Sequence, residues 1–406
     1  MTEWRSYKLS DIADLSNGIN FDKSAYTSGV KLIGVADFKD RIYPDYETLQ
    51  EVDSKVVREG DFLEKGDIVF VRSNGNKELV GRCLMINKDI PVTFSGFCIR
   101  LRLRDKHAFN PVFFNYLFKT QQFRKNMTGT AVGANIQNLS QSRLGNCVVE
   151  VPDGSVQRRI AEVLSRYDAL IENYQRQIKL LEEAAQRLYK EWFVDLRFPG
   201  HQSTPIINNI PQSWQKKKIA DVCDTIGGGT PSTKNASYYE GGDIKWVTPT
   251  DITQSKSLCI LDTEKKITEE GLNNSSAKML PPGTILMTSR ASVGFFGICD
   301  FEVCTNQGFI SCVPFKKEFQ MYLLFNLRNR VDEIRGKAGG STYLEISKRV
   351  FRELDIICPD TRVLLDFQER AHSILEMIRN NTVQIRNLSE ARDRLLPKLM
   401  SAQIEV

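Results

Sequence analysis

Arg72, Ser73, Asn74, Asn76 and Lys77 follow the apolar stretch Ile68-Val69-Phe70-Val71, and Ser289-Arg290 follow a similar stretch, Ile285-Leu286-Met287-Thr288. Guanidinium and carboxamide groups at a strand end can pair with purine edges or hold phosphates. Asn306-Gln307 and Asn135, Gln137 and Asn138 add amides of the kind that read adenine. Arg100, Arg102 and Arg104 alternate with Leu101 and Leu103, which puts three guanidiniums on one strand face. Phosphates suit that face, although a solvated edge strand explains the pattern slightly better. Singly, each residue fits an ordinary hydrogen-bonded turn equally well; together they favour duplex DNA.

Catalytic constellations are nearly absent. Gly227-Gly228-Gly229-Thr230-Pro231-Ser232-Thr233-Lys234 is glycine-rich but lacks the Gly-Lys-Ser/Thr ending that cradles phosphates. There is no dinucleotide fingerprint and no Asn-Pro-Pro-Tyr-type methyltransferase motif. His107, His201 and His372 lie far apart, with no nucleophile visibly paired to any of them. Asp251 with Glu264-Lys265-Lys266 faintly resembles the acidic-plus-lysine arrangement of a metal-dependent nuclease. A solvated charged loop is preferred, because the first half has Asp37 at the place of Asp251 but no equivalent Glu-x-Lys. The expectation is a binder with no catalytic residues and no metal site.

Composition bounds the class. A chain of 406 residues, 41% hydrophobic and 26% charged, suits two soluble globular domains with connectors. Its net charge of +5 permits nucleic-acid binding without demanding it. Nine scattered cysteines without a Cys-x-x-Cys pair read as reduced, mostly buried thiols. With no apolar leader and no run of about 18 apolar residues, a cytoplasmic location without membrane contact is expected.

The elements that must position the chemistry come twice, offset by about 207 residues. Ala131-Val132-Gly133 matches Ala338-Gly339-Gly340, and Pro152-Asp153 matches Pro359-Asp360. After each Pro-Asp an apolar seam advances in steps of four and three. The first seam holds Ile160, Leu164, Tyr167, Ile171, Tyr174, Ile178, Leu181, Ala185, Leu188 and Trp192. The second holds Phe367, Ala371, Ile374, Ile378, Asn381, Ile385, Leu388, Arg392, Leu395 and Leu399. These spacings predict two long helices packed antiparallel on each other, with Asn381 as a buried register device and Pro397 bending or fraying the last turns. The fold class expected is α+β: two similar mixed α/β domains, at 1–151 and 211–358, separated by an antiparallel coiled coil with a pseudo-twofold internal repeat. The first long helix occupies 152–198, a polar linker 199–210 and the second helix 359–406.

At Leu188-Tyr189-Lys190-Glu191-Trp192-Phe193, Ile210-Pro211-Gln212-Ser213-Trp214 and Gly228-Gly229-Thr230-Pro231-Ser232 the chain resembles the specificity subunits of type I restriction-modification systems. Tyr238-Tyr239-Glu240-Gly241-Gly242-Asp243, Ser289-Arg290, Asn306-Gln307-Gly308-Phe309 and Arg392-Asp393-Arg394-Leu395-Leu396-Pro397 extend the likeness over nearly the whole chain. The resemblance implies two target-recognition domains, each reading half of a split, asymmetric DNA sequence, with the helices as a ruler for the unread spacer. It implies as partners two modification subunits, which carry S-adenosylmethionine and the catalytic residues. Restriction subunits using ATP and magnesium would join them, and this chain itself would bind no cofactor. Within that frame Arg72, Ser73, Asn74, Asn76, Lys77, Arg100, Thr230, Ser232, Asp251, Ser289, Arg290, Asn306 and Gln307 are the expected DNA-facing residues. Asp251 would accept from a cytosine amino group or orient an arginine. The glycine-bearing loops Gly129–Asn138, with Asn135 and Gln137, and Gly339–Tyr343, with Tyr343, would approach the backbone. Two rivals remain: a single-chain restriction or modification enzyme, which pure protein with DNA, magnesium and S-adenosylmethionine would reveal by turnover, and a scaffold without DNA contact, which would show no salt-sensitive DNA binding.

Overall fold

A stripe of apolar side chains along a long helix must be covered, and both seams are. Gly154–Phe193 and Thr361–Met400 are helices of 40 residues each, about 60 Å long at 1.5 Å per residue. The computed structural model describes residues 3–38, 41–73, 79–129, 138–340 and 343–406. Pro397 lies inside the second helix, which continues to Met400 with Leu399 buried, so the helix does not fray at the proline.

Met1–Leu170 with Leu388–Val406 make one unit, and Ile171–Asn387 the other. The first unit contains strands β1 (Arg5–Lys8), β2 (Ala13–Asn17), β3 (Tyr26–Ile33), β4 (Gln50–Val52), β5 (Ile68–Val71), β6 (Cys83–Met85), β7 (Val92–Phe94), β8 (Cys98–Leu103) and β9 (Val148–Val151). They pair as a four-stranded sheet β2-β8-β5-β6, a three-stranded sheet β4-β3-β7 and the pair β1-β9. Strand β8 thus lies between β2 and β5 and is not the edge strand its arginines suggested. Its alternation arises because Ile99, Leu101 and Leu103 fill the core. The helix Pro111–Lys119 packs on the same core through Phe113, Phe114 and Phe118. Its start is set by Pro111 and by Asn110, whose side chain accepts from the amides of Val112 and Phe113. Ile160 and Leu164 of the first long helix and Leu399 of the second join this cluster.

The second unit contains β10 (Ile206–Ile207), β11 (Ile210–Pro211), β12 (Gln215–Lys218), β13 (Cys223–Gly227), β14 (Ile244–Val247) and β15 (Lys265–Ile267). These are followed by β16 (Ile285–Thr288), β17 (Phe296–Ile298), β18 (Cys304–Thr305), β19 (Phe309–Pro314) and β20 (Asp355–Cys358). The sheet orders β13-β19-β16-β17, β15-β14-β18 and β12-β20 match those of the first unit in strand sense as well as order. The stretch expected to be a polar linker contains the small hairpin β10-β11, which ends at Pro211. Tyr189, Trp192 and Phe193 pack with Phe367, and Phe193 meets Tyr322 edge to face and Trp214 at a tilt. Each aromatic pair of this kind adds about 0.5–1.5 kcal/mol beyond its buried area. The aromatic end of the first long helix is therefore core of the second unit.

Within that unit the helices run antiparallel, Trp192 meeting Phe367 while Gln177 accepts from the Asn381 amide at 3.1 Å. Asn381 is half-buried against a polar partner and not sunk among aromatics, so it is not the buried register device expected. The seats of the helices also differ. Gln157 accepts from the Asn110 amide and Gln368 from the Met321 amide, both at 2.9 Å. Gln157 stands three residues after Gly154 but Gln368 seven after Thr361, so the equivalence near the helix starts is one turn off the seam offset.

Candidate nucleic-acid interface

In the second unit three loops leave one end of one sheet because the register puts them there. Gly227 pairs with Ile310 and Thr288 with Phe309, so the end of β13, the end of β16 and the start of β19 coincide. The loops are Gly228–Ser232, Ser289–Gly294 and Asn306–Gly308. Gly228 is held so close to Thr305 and Asn306 that a Cβ would stand 2.1–2.3 Å from their oxygens. At Gly229 a Cβ would meet Ser276 Oγ at 2.3 Å. The Gly229 amide donates to Thr305 O at 2.9 Å, and its carbonyl accepts from the Trp246 indole at 3.0 Å. The glycine run therefore serves close backbone packing.

Exposed side chains from these loops come together: Thr230 donates to Gln307 Oε1, Arg290 lies 3.6 Å from Glu345, and Ser232 and Tyr343 face solvent. Asn306 is half-buried, and its Oδ1 caps the Gly308 amide at 2.9 Å. Two expected readers have internal roles. Ser289 is buried, donating through its amide to Gly308 O and accepting from the Ile346 amide. Asp251 caps the helix Pro249–Thr253: Oδ2 accepts from the amide and hydroxyl of Thr248, both at 2.7 Å, while Oδ1 accepts from the Glu264 amide at 2.9 Å. Both oxygens are thus held by the chain itself, and Asp251 braces the helix start against the Glu264 turn.

The first unit repeats the arrangement. Asn17 pairs with Ile99 and Val71 with Cys98, so β2, β5 and β8 present their loops together. The Arg72 amide donates to Phe97 O at 2.8 Å and its carbonyl accepts from Leu139 at 2.7 Å, the bonding scheme of Ser289 with Gly308 and Ile346. Ser73 bridges to Asn138 as Arg290 does to Glu345. Structurally, then, Arg72 corresponds to Ser289 and Ser73 to Arg290. Asn74, Asn76, Lys77, Asn135 and Gln137 lie outside the described residues.

Arg100 does not join this end as a phosphate ligand. Its guanidinium donates to Gly60 O at 3.1 Å and Phe62 O at 3.5 Å, and burial lowers its pKa. Arg102 pairs with Asp67 and Glu64, and Arg104 with Asp14. The row is an internal brace. Sequence reasoning missed Phe97, whose ring is 63% exposed although both Arg72 and Ser73 amides hold its carbonyl. No pattern marks it, since a single phenylalanine after a Ser-Gly turn reads as core.

Among the described residues no cluster of three or more His, Cys, Asp or Glu could hold a metal ion, and no helix is long and apolar enough to cross a membrane. All nine cysteines are free thiols, eight of them buried. What the sheet ends offer is hydroxyl, amide and guanidinium groups on rigid supports, the chemistry that reads groove edges and phosphates.

A mixed α/β unit presenting such loops beside long helices is compatible with a DNA-specificity module, and the family comparison shows that class. Residues 1–183 and 211–391 match the type I restriction modification DNA specificity domain, and the chain belongs to that family. Over 155 residues it is 38% identical to the MjaIX specificity subunit of Methanocaldococcus jannaschii, a match spanning 38% of this chain and 36% of that one. It is 23% identical to the HindI specificity subunit of Haemophilus influenzae over the whole of both chains. The crystal structure of the type I S subunit from M. genitalium shares the fold, with a TM-score of 0.56 at 16% identity over 98% of this chain and 96% of that one.

Proposed function

We propose that this chain supplies DNA sequence specificity to a type I restriction-modification complex. The two sheet ends each read one half of a split target, and the long helices, paired as an antiparallel coiled coil, set the length left unread. The observation that carries the reading is the repeated bonding scheme at Arg72 and Ser289, by which two sets of loops with different side chains leave similar frames. Two copies of one frame with different side chains suit two unequal half-sites. In the second unit Thr230, Ser232, Arg290, Gln307 and Tyr343 form the reading surface; in the first, Arg72 and Ser73 frame it. The chain contributes no chemistry of its own. Modification subunits bringing S-adenosylmethionine, and restriction subunits using ATP and magnesium, act on the DNA it selects.

The test is to assemble the chain with its modification subunits and map methylation on a library of bipartite sites. Replacing residues 211–358 with the corresponding domain of another family member should change one half-site and leave the other intact. A change in both halves, or binding that does not weaken steeply with salt, would overturn the proposal.

A further inference from the structure

The bonding scheme that repeats at Arg72 and Ser289 extends into the neighbouring loops and matches the two sheet ends residue by residue. The Ile19 amide donates to Phe94 O as the Gly229 amide does to Thr305 O, both at 2.9 Å. The Ser95 amide donates to Ile33 O at 3.0 Å, and the Asn306 amide to Val247 O at 3.1 Å. Phe97 O accepts from Arg72 where Gly308 O accepts from Ser289. Ser95-Gly96-Phe97 therefore stands for Asn306-Gln307-Gly308, and Asn20, next to Ile19, stands for Thr230. The frame is common to both units, and the side chains on it are exchanged.

In the second unit a carboxamide comes from Gln307, which accepts from the Thr230 hydroxyl. In the first, Gly96 holds the place of Gln307 and the exposed Asn20 lies over it: a Cβ on Gly96 would stand 2.0 Å from Asn20 Oδ1. The carboxamide is thus supplied by the opposite loop. Beside it Phe97 adds a ring that the frame does not require, since Gly308 serves in the other unit. A lone exposed phenylalanine is ordinary. This one, 63% exposed, sits on a turn held on both flanks. Phe97 O accepts from the amides of Arg72 at 2.8 Å and Ser73 at 3.3 Å, and the Gly96 amide donates to Ile19 O at 2.7 Å. Holding a reader in place before contact lowers the entropy lost on binding. A carboxamide matches N6 and N7 of adenine, and an apolar ring matches the 5-methyl group of thymine. Resting on the DNA-specificity role proposed above, we infer that Asn20 and Phe97 determine what the first half-site contains: Asn20 reads an adenine, and Phe97 the methyl group of a thymine on the same or the adjacent base pair.

The test maps methylation by the full-length chain, assembled with its modification subunits, on duplexes randomised in the first half-site. Wild type should require the adenine and the thymine. Asn20→Ala should lose discrimination at the adenine by at least about tenfold, and Phe97→Ala should lose it at the thymine, with the second half-site read as before. Gly96→Ala, which drives the Asn20 carboxamide aside without changing it, should give the Asn20→Ala profile. In competition binding, uracil in place of the thymine removes only the methyl group. It should weaken wild type about fourfold and leave Phe97→Ala unaffected. The inference is overturned if the first half-site lacks either base, or if Asn20→Ala and Phe97→Ala keep the wild-type preferences. It is equally overturned if uracil weakens Phe97→Ala as much as wild type. A wild-type complex with no split-site preference at all would refute the DNA-specificity role itself, and this assignment with it.

Discussion

Asp251 separates a residue that builds the reading surface from residues that use it. Its two oxygens take three hydrogen bonds, two from Thr248 at the helix start and one from the Glu264 amide. Asp251→Ala removes the capping box, worth about 1 kcal/mol, and a charge-assisted bond whose loss is partly made good by water at the exposed Glu264. The total is about 2 kcal/mol, or roughly 4–8 °C in the melting of the second unit. Asp251→Asn retains one carbonyl acceptor and should lose about half as much. By contrast, Arg290→Ala and Gln307→Ala break only exposed contacts and should leave stability within about 0.5 kcal/mol. Each should weaken binding to the second half-site by about 1–3 kcal/mol while the first half-site is unaffected. Thermal melts beside competition binding on the two half-sites make the comparison. The reasoning fails if Asp251→Ala alters base preference with unchanged melting, or if the Arg290 and Gln307 variants melt as early as the Asp251 variant.

Other outcomes follow from the same geometry. Inserting one residue into either long helix rotates everything beyond it by about 100° and should shift or abolish the preferred spacer, read in a methylation series of spacer lengths. Gly228→Ala puts a methyl within 2.3 Å of three oxygens, so the Gly228–Ser232 loop must move and second-half-site binding should fall while binding to the first half persists. Burial pushes the Tyr189 phenol up to about 12 and the Tyr322 phenol well above its ordinary value. These groups favour the folded state fully below about pH 10, where an unfolded tyrosine is still protonated, and the advantage is lost as pH rises through 12. Their phenolate absorbance should therefore emerge together with alkaline unfolding and not before it.

Where a side chain's partner is close in sequence, or its role is simply to be buried at a regular interval, the role was legible. Ile160, Leu164 and Ile378 at steps of four and three predict the long helices because burial repeats with the helical period. The strands before Arg72 and Ser289, and the functional end they point to, follow from local apolar runs bounded by glycine. The alternation in Cys98–Leu103 was read correctly as a strand and wrongly as an edge. A polar residue every second position looks the same whether it meets water or, as Arg100 does, carbonyls 38 and 40 residues away. The bracing role of Asp251 is hidden in the same way, since its bond to Glu264 exists only after β14 and β15 pair. Asn381 and Arg392 complete the argument. Both interrupt the second seam, and the sequence alone favoured the asparagine as the device that fixes alignment. Depth separates the two: Asn381 reaches an exposed glutamine, whereas Arg392 reaches the Asp168 carboxylate that Tyr116 holds from a different element. A polar residue specifies pairing only where water cannot replace its partner, and that depends on what covers the helix from outside.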